Sequence, residues 1–105
     1  MSLVKHNWLD AETVQGTVTD PEEVTGATRF GLQISYTGAP SSVDVELQGS
    51  IDGVNWVVLA QTGTNGALVG YGQGSTHGVV KYIRLLLDQL SGGSSPTVTA
   101  SVVAV

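Results

Sequence analysis

A chain of 105 residues with a net charge of −5 is the size of one domain, and four Lys and Arg against nine acids exclude the basic footprint that a phosphate backbone requires. Hydrophobic residues at 41% suffice for one core and exclude disorder, while charged residues, at 12%, fall well below the globular average and give way to fourteen glycines and many Ser and Thr. With no cysteine, disulfides and thiolate metal sites are excluded, so stability comes from the core or from assembly with further copies.

Residues 1–12 read as an arm or a short edge strand, anchored by Trp8. Thr13–Thr19 alternates weakly through Val14, Gly16 and Val18 and predicts a first strand. Asp20-Pro21-Glu22-Glu23 reads as a turn or one helical turn, because proline suits a first helical position and acids favour that end. Arg29–Tyr36 sets Phe30, Leu32, Ile34 and Tyr36 on one face, and residues 37–42 then break the chain. From Val43 the alternation is strict, with Val43, Val45 and Leu47 facing one way and Asp44, Glu46 and Gln48 the other. Asp52-Gly53 supplies a turn, and Trp56, Val57, Val58 and Leu59 return as β-formers. This hairpin is the organising element, with Trp56 and Val58 expected inside.

The stretch from Gln61 to Gly78 holds six glycines, and its apolar members Leu68, Val69 and Tyr71 predict a short strand. Val79–Asp88 sets Ile83, Leu85 and Leu87 on one face and Val80, Tyr82, Arg84 and Leu86 on the other. Apolar residues on both faces predict a central or covered strand. Residues 91–96 form a loop, and Thr97–Val105 is the last strand.

About seven short strands at roughly ten-residue spacing predict an all-β fold, an antiparallel β-sandwich with jelly-roll-like topology and negligible helix, in one domain spanning 1–105. The expected core comprises Phe30, Leu32, Ile34, Val43, Val45, Leu47, Trp56, Val58, Ile83 and Leu85. A two-layer sandwich buries one face of each strand, yet two strands here are apolar on both. Val57, Leu59 and Leu86 are therefore expected at a subunit contact of a homo-oligomer, with a trimer as one arrangement.

The chemistry-bearing residues form no catalytic constellation. Asp44 and Glu46 share a strand face, and with Asp52 they are the densest acids, but calcium-loop spacing is lacking and a solvated face accounts for them. Ser50 sits outside any nucleophile elbow, and the only histidines are His6 and His77, the latter in the glycine-rich loop. Gly70-Tyr71-Gly72-Gln73-Gly74 has neither the Lys-Ser/Thr ending nor the following helix of a phosphate loop. The expectation is no catalytic residue, no metal and no cofactor. No apolar run is long enough to span a bilayer and no signal-peptide core stands at the start, so a soluble protein without membrane contact is expected.

The run Val45–Leu59, with its Ser50-Ile-Asp-Gly-Val-Asn-Trp56 hairpin, followed by Lys81-Tyr-Ile-Arg-Leu85, resembles a pattern in two groups. One is the discoidin-like, galactose-binding-like jelly rolls; the other is the small β-sandwich proteins of tailed-phage virions, of the head decoration and fibre type. Discoidin domains are usually longer and commonly close with a disulfide, which this chain cannot form. The second resemblance implies a non-enzymatic virion protein, a capsid decoration or fibre subunit acting through self-assembly and binding to a phage capsid or tail protein. Its location would be the phage particle, and the host cytoplasm during assembly. The alternative is a carbohydrate-binding module with a loop-end sugar site formed by Tyr71, Gln73, His77 and Trp8.

Overall fold

A computed structural model describes residues 2–73 and 79–105. Eight strands run in chain order: β1 (Leu3–Glu12), β2 (Glu22–Glu23), β3 (Arg29–Thr37), β4 (Ser42–Ser50), β5 (Val57–Thr62), β6 (Leu68–Gly72), β7 (Tyr82–Ser91) and β8 (Thr97–Ala104). No helix occurs among the described residues. The strands form two four-stranded sheets, ordered β1-β8-β3-β6 and β2-β7-β4-β5, with every pairing antiparallel. β1 therefore pairs with β8, β2 with β7, β3 with β6 and β4 with β5. The first half of the chain lies antiparallel along the second half, and the doubled ribbon wraps into two layers. That is the jelly roll expected from the sequence.

The core fills the space between the sheets. Phe30, Leu32 and Ile34 of β3, Val45 and Leu47 of β4, and Ile83, Leu85 and Leu87 of β7 are buried, as the alternation requires. Val98, Ala100, Val102 and Ala104 of β8 complete the opposite wall. Val43 is only partly buried, against the rim of this cluster. Among the described residues no buried side-chain nitrogen or oxygen lacks a hydrogen-bond partner.

Several expectations are corrected. Of the arm and the short edge strand expected at the start, Leu3–Glu12 forms an edge strand, though one of ten residues, and the buried residue there is Leu9. Asn7 and Ala11 have φ of 49° and 47°, and their N–H groups donate to Ser101 Oγ and Thr99 Oγ1. These bulges carry β1 along β8 with register shifts and hide its alternation. Thr13–Thr19 is not a strand: Val18 makes one isolated bridge to Leu86, and Val14 is exposed. Glu22–Glu23 is a two-residue strand on β7 rather than a helical turn.

The largest correction concerns β5. Its register slips between Leu47 and Gln48, so that Ala60 pairs with Leu47 and Val58 with Gln48, leaving Leu59 as the extra residue. A bulge of this kind reverses the alternation beyond it. Ala60 is buried, Leu59 packs against the core, Val58 is exposed and Trp56 is only half-buried. Trp56 and Val58 thus lie outside the core. The interior space beside Gly49 is taken by Leu59 and Val80, whose methyl carbons would each lie 2.8 Å from any Cβ added there.

Candidate interaction surfaces

The loop joining β4 to β5 is held by a buried serine. Ser50 Oγ accepts hydrogen bonds from the N–H of Asp52 (3.2 Å) and Gly53 (2.9 Å) and donates to Asp52 Oδ1. Asp52 Oδ1 also accepts from the N–H of Val54 (2.8 Å) and Asn55 (2.9 Å), and Oδ2 accepts from Asn55 Nδ2 (2.8 Å). The Asn55 and Val54 amides, the Asn55 side chain and Ser50 hold the Asp52 carboxyl well below the usual carboxylate range. Gly53, at φ 76°, provides the left-handed residue that the turn demands.

Around this turn the chain exposes apolar side chains. Ile51 is 74% and Val54 76% exposed, with Val57 and Val79 exposed beside them. A recess of about 280 Å³ opens between Val57, Ile51 and Val79. A second, of about 370 Å³, lies across Ile51 and Val79 towards Thr25 and Lys81. The turn is fixed by side-chain hydrogen bonds rather than by burial, so its two most exposed apolar residues are presented on a pre-ordered scaffold.

The outer face of the β2-β7-β4-β5 sheet is mixed. Arg84 lies over the Trp56 ring at 4.2 Å and donates from Nε to Gln48 Oε1 (2.8 Å), and Gln48 Nε2 donates to Glu46 Oε1 (3.0 Å). Trp56 and Arg84 thereby cover part of the second apolar face within the chain itself. Asp44 and Glu46 are joined by Asp88 from β7, their oxygens within 4.8 Å of one another. Burial pushes the Asp44 carboxyl up, and the Glu46 and Asp88 carboxylates push it further. Asp52 stands apart, engaged in its turn.

The residues expected at a subunit contact do not form one patch. Val57 belongs to the loop-end recess, Leu59 packs inward beside Gly49, and Leu86 is half-buried on the outer face. The sugar-site residues are also dispersed. Trp8 and Tyr71 lie on the two opposite edge strands of one sheet. Trp8 has Lys5 Nζ 5.5 Å from its ring centre, and Tyr71 stacks on Phe30 at 6.1 Å. Gln73 ties backbone together, donating to Ala27 O (2.6 Å) and accepting from the Val80 N–H. His77 lies outside the described residues.

The outer face of the β1-β8-β3-β6 sheet carries apolar residues that no single stretch of the sequence groups together. Val4, Leu68 and Val103 are exposed there, and Gly31 and Gly70 leave gaps between them. Only the pairing order could have revealed it, because the three residues are far apart in the chain.

No protein-family model and no curated protein sequence matches the chain. Among solved structures it is similar to the SPBc2 prophage-derived protein YomS, with a TM-score of 0.71 and 10% identity, over 99% of this chain and 92% of that one. At that identity the likeness is one of fold, and it extends over the whole eight-stranded sandwich.

Proposed function

We propose that this chain is a non-enzymatic structural protein of a phage or prophage particle, a decoration or fibre subunit that works by adhesion and self-assembly. The observation that carries the reading is the clamped loop end, where five hydrogen bonds to Ser50 and Asp52 hold Ile51 and Val54 about three-quarters exposed. Exposed apolar residues on a rigid turn suit contact with another protein better than chemistry. The full-length likeness to a prophage-derived protein supports the setting, and the virion-type hairpin resemblance agrees with it.

The test uses particles purified from a lysate of the strain that carries the gene. Peptides of this chain should be present in stoichiometric amount, and an Ile51→Asp, Val54→Asp variant supplied in place of the wild type should be lost from the particles while remaining folded. Absence of the wild-type chain from the particles overturns the reading.

A further inference from the structure

We propose that the outer face of the β1-β8-β3-β6 sheet is a two-fold self-association surface, on which Leu68 and Val103 of each copy seat in the glycine-floored recesses of the other. This rests on the reading of the chain as a self-assembling subunit and names the surface that does it.

The first ground is the distribution of charge. The chain has nine acids, yet β3, β6 and β8 carry none. Four carboxylates cluster instead on the β2 and β4 strands of the other sheet, with Asp88 on β7 beside them. Two copies with a net charge of −5 repel. Meeting through the acid-free strands keeps those five carboxylates on the far sides of the pair, and the two acids of this sheet, Asp10 and Glu12, stand at the end of edge strand β1 away from Val4 and Val103. Head-to-tail stacking would instead press this face on Asp44, Glu46 and Asp88 and strip them of water, with Arg29 the one base that β3, β6 and β8 supply.

The second ground is relief. Leu68 is 70%, Val4 50% and Val103 42% exposed. Gly31 pairs with Val103 on one side and Gly70 on the other, and Leu68 leans over it, its Cδ1 3.8 Å from where a Cβ would stand. Recesses of about 400 and 220 Å³ flank this ridge, the first floored by Gly31 and Gly70 and the second lying between Val4, Gln33 and Leu68. Ridge and hollow occupy one face, which is what a surface needs to be complementary to itself.

The third ground is area. Four strands about 4.8 Å apart and about eight residues long at ~3.4 Å each give a face of roughly 500 Å² per copy. The pair would bury about 1,000 Å² in total, at the threshold of a specific interface, so association in the micromolar range is expected.

The experiment is analytical ultracentrifugation of the purified full chain up to roughly 200 µM, a concentration that populates a micromolar dimer. The wild type should sediment as a dimer. Leu68→Glu and Val103→Glu should each weaken association by at least about 100-fold, since each would bury an unpaired carboxylate. Leu68 is exposed enough that its substitution leaves the fold intact, which circular dichroism will show. Ile51→Asp, on the loop end, should leave the dimer unchanged. A wild-type monomer at the highest concentration, an assembled Leu68→Glu variant, or a dimer dissolved by Ile51→Asp overturns the proposal. A monomer that is nonetheless found in particles would overturn this surface while leaving the structural role standing.

Discussion

At the scale of single residues, two glycines with the same backbone sign make different demands. Gly93 has φ 68°, and a Cβ there would stand 2.2 Å from Gly38 O and 2.7 Å from Ala39 O, because the β3–β4 and β7–β8 turns interlock through the Ser94 N–H donating to Gly38 O. Gly66 has φ 77° but nothing within 4 Å. Gly93→Ala is expected to cost more than about 3 kcal/mol, adding steric displacement of backbone to the left-handed penalty, while Gly66→Ala should cost only the latter, about 1–2 kcal/mol. Urea midpoints of the two variants check this, and equal losses would contradict it. Both glycines read as loop residues in the sequence; the collision at Gly93 depends on a turn more than fifty positions away and was not legible. The carboxylates give a second contrast. Asp52, lowered by the bonds it accepts, contributes stability that is present above the ordinary carboxylate range and lost as pH falls through its folded value. Asp44, raised, has the opposite sign: its charge opposes folding once pH exceeds the unfolded value, and that cost disappears as pH falls below it. Asp44→Asn should therefore raise the neutral-pH midpoint, and Asp52→Asn should lower it, with the two losing their difference from wild type in strong acid.

At the scale of elements, β3, β4, β7 and β8 were legible because their alternation runs for eight residues or more with few interruptions. In β1 and β5 bulges hide the alternation, and β2 is too short to show one. In β1 two left-handed residues shift the register, and in β5 Leu59 is inserted opposite Leu47, so that an inward pattern drawn through Trp56 and Val58 lands on the wrong side. A single extra residue reverses every assignment beyond it, and nothing in local composition announces it. The consequence is energetic. Trp56 lies over Arg84 on the outer face rather than in the core, so Trp56→Ala should cost about 1–2 kcal/mol instead of the 3–5 kcal/mol of a buried ring. A double-mutant cycle with Arg84→Ala should return a coupling of about 0.5–1 kcal/mol. Independent losses would mean that the stacked pair contributes nothing beyond its separate contacts. In the neighbouring strand β4, Gly49→Ala should cost about 1–3 kcal/mol by overpacking against Leu59 and Val80, read from the same urea midpoints.

At the scale of the whole molecule, the sandwich was legible from strand number and spacing, while the strand order that makes it a jelly roll appears only in the pairing. The interaction surfaces were not, since Ile51, Val54 and Val79 at the loop end, and Val4, Leu68 and Val103 on the sheet, are brought together only by strand order. The proposed pairing makes stability depend on concentration: a dimer melts at a higher temperature as its concentration rises. Melting curves between about 5 and 200 µM should shift upward for the wild type and stay fixed for Leu68→Glu, since only the associating protein gains from mass action.

The strand order has a further consequence during synthesis. β8 lies between β1 and β3, so the sheet that holds them cannot close until Thr97–Ala104 has left the ribosome. Until then β1, with Leu9, has no strand to pair with and β3 has only β6, while β2 waits for β7 and β4 has only β5. The two sheets therefore close late, on the arrival of β7 and then β8, and before that the edges of β3 and β4 that face them stand unpaired.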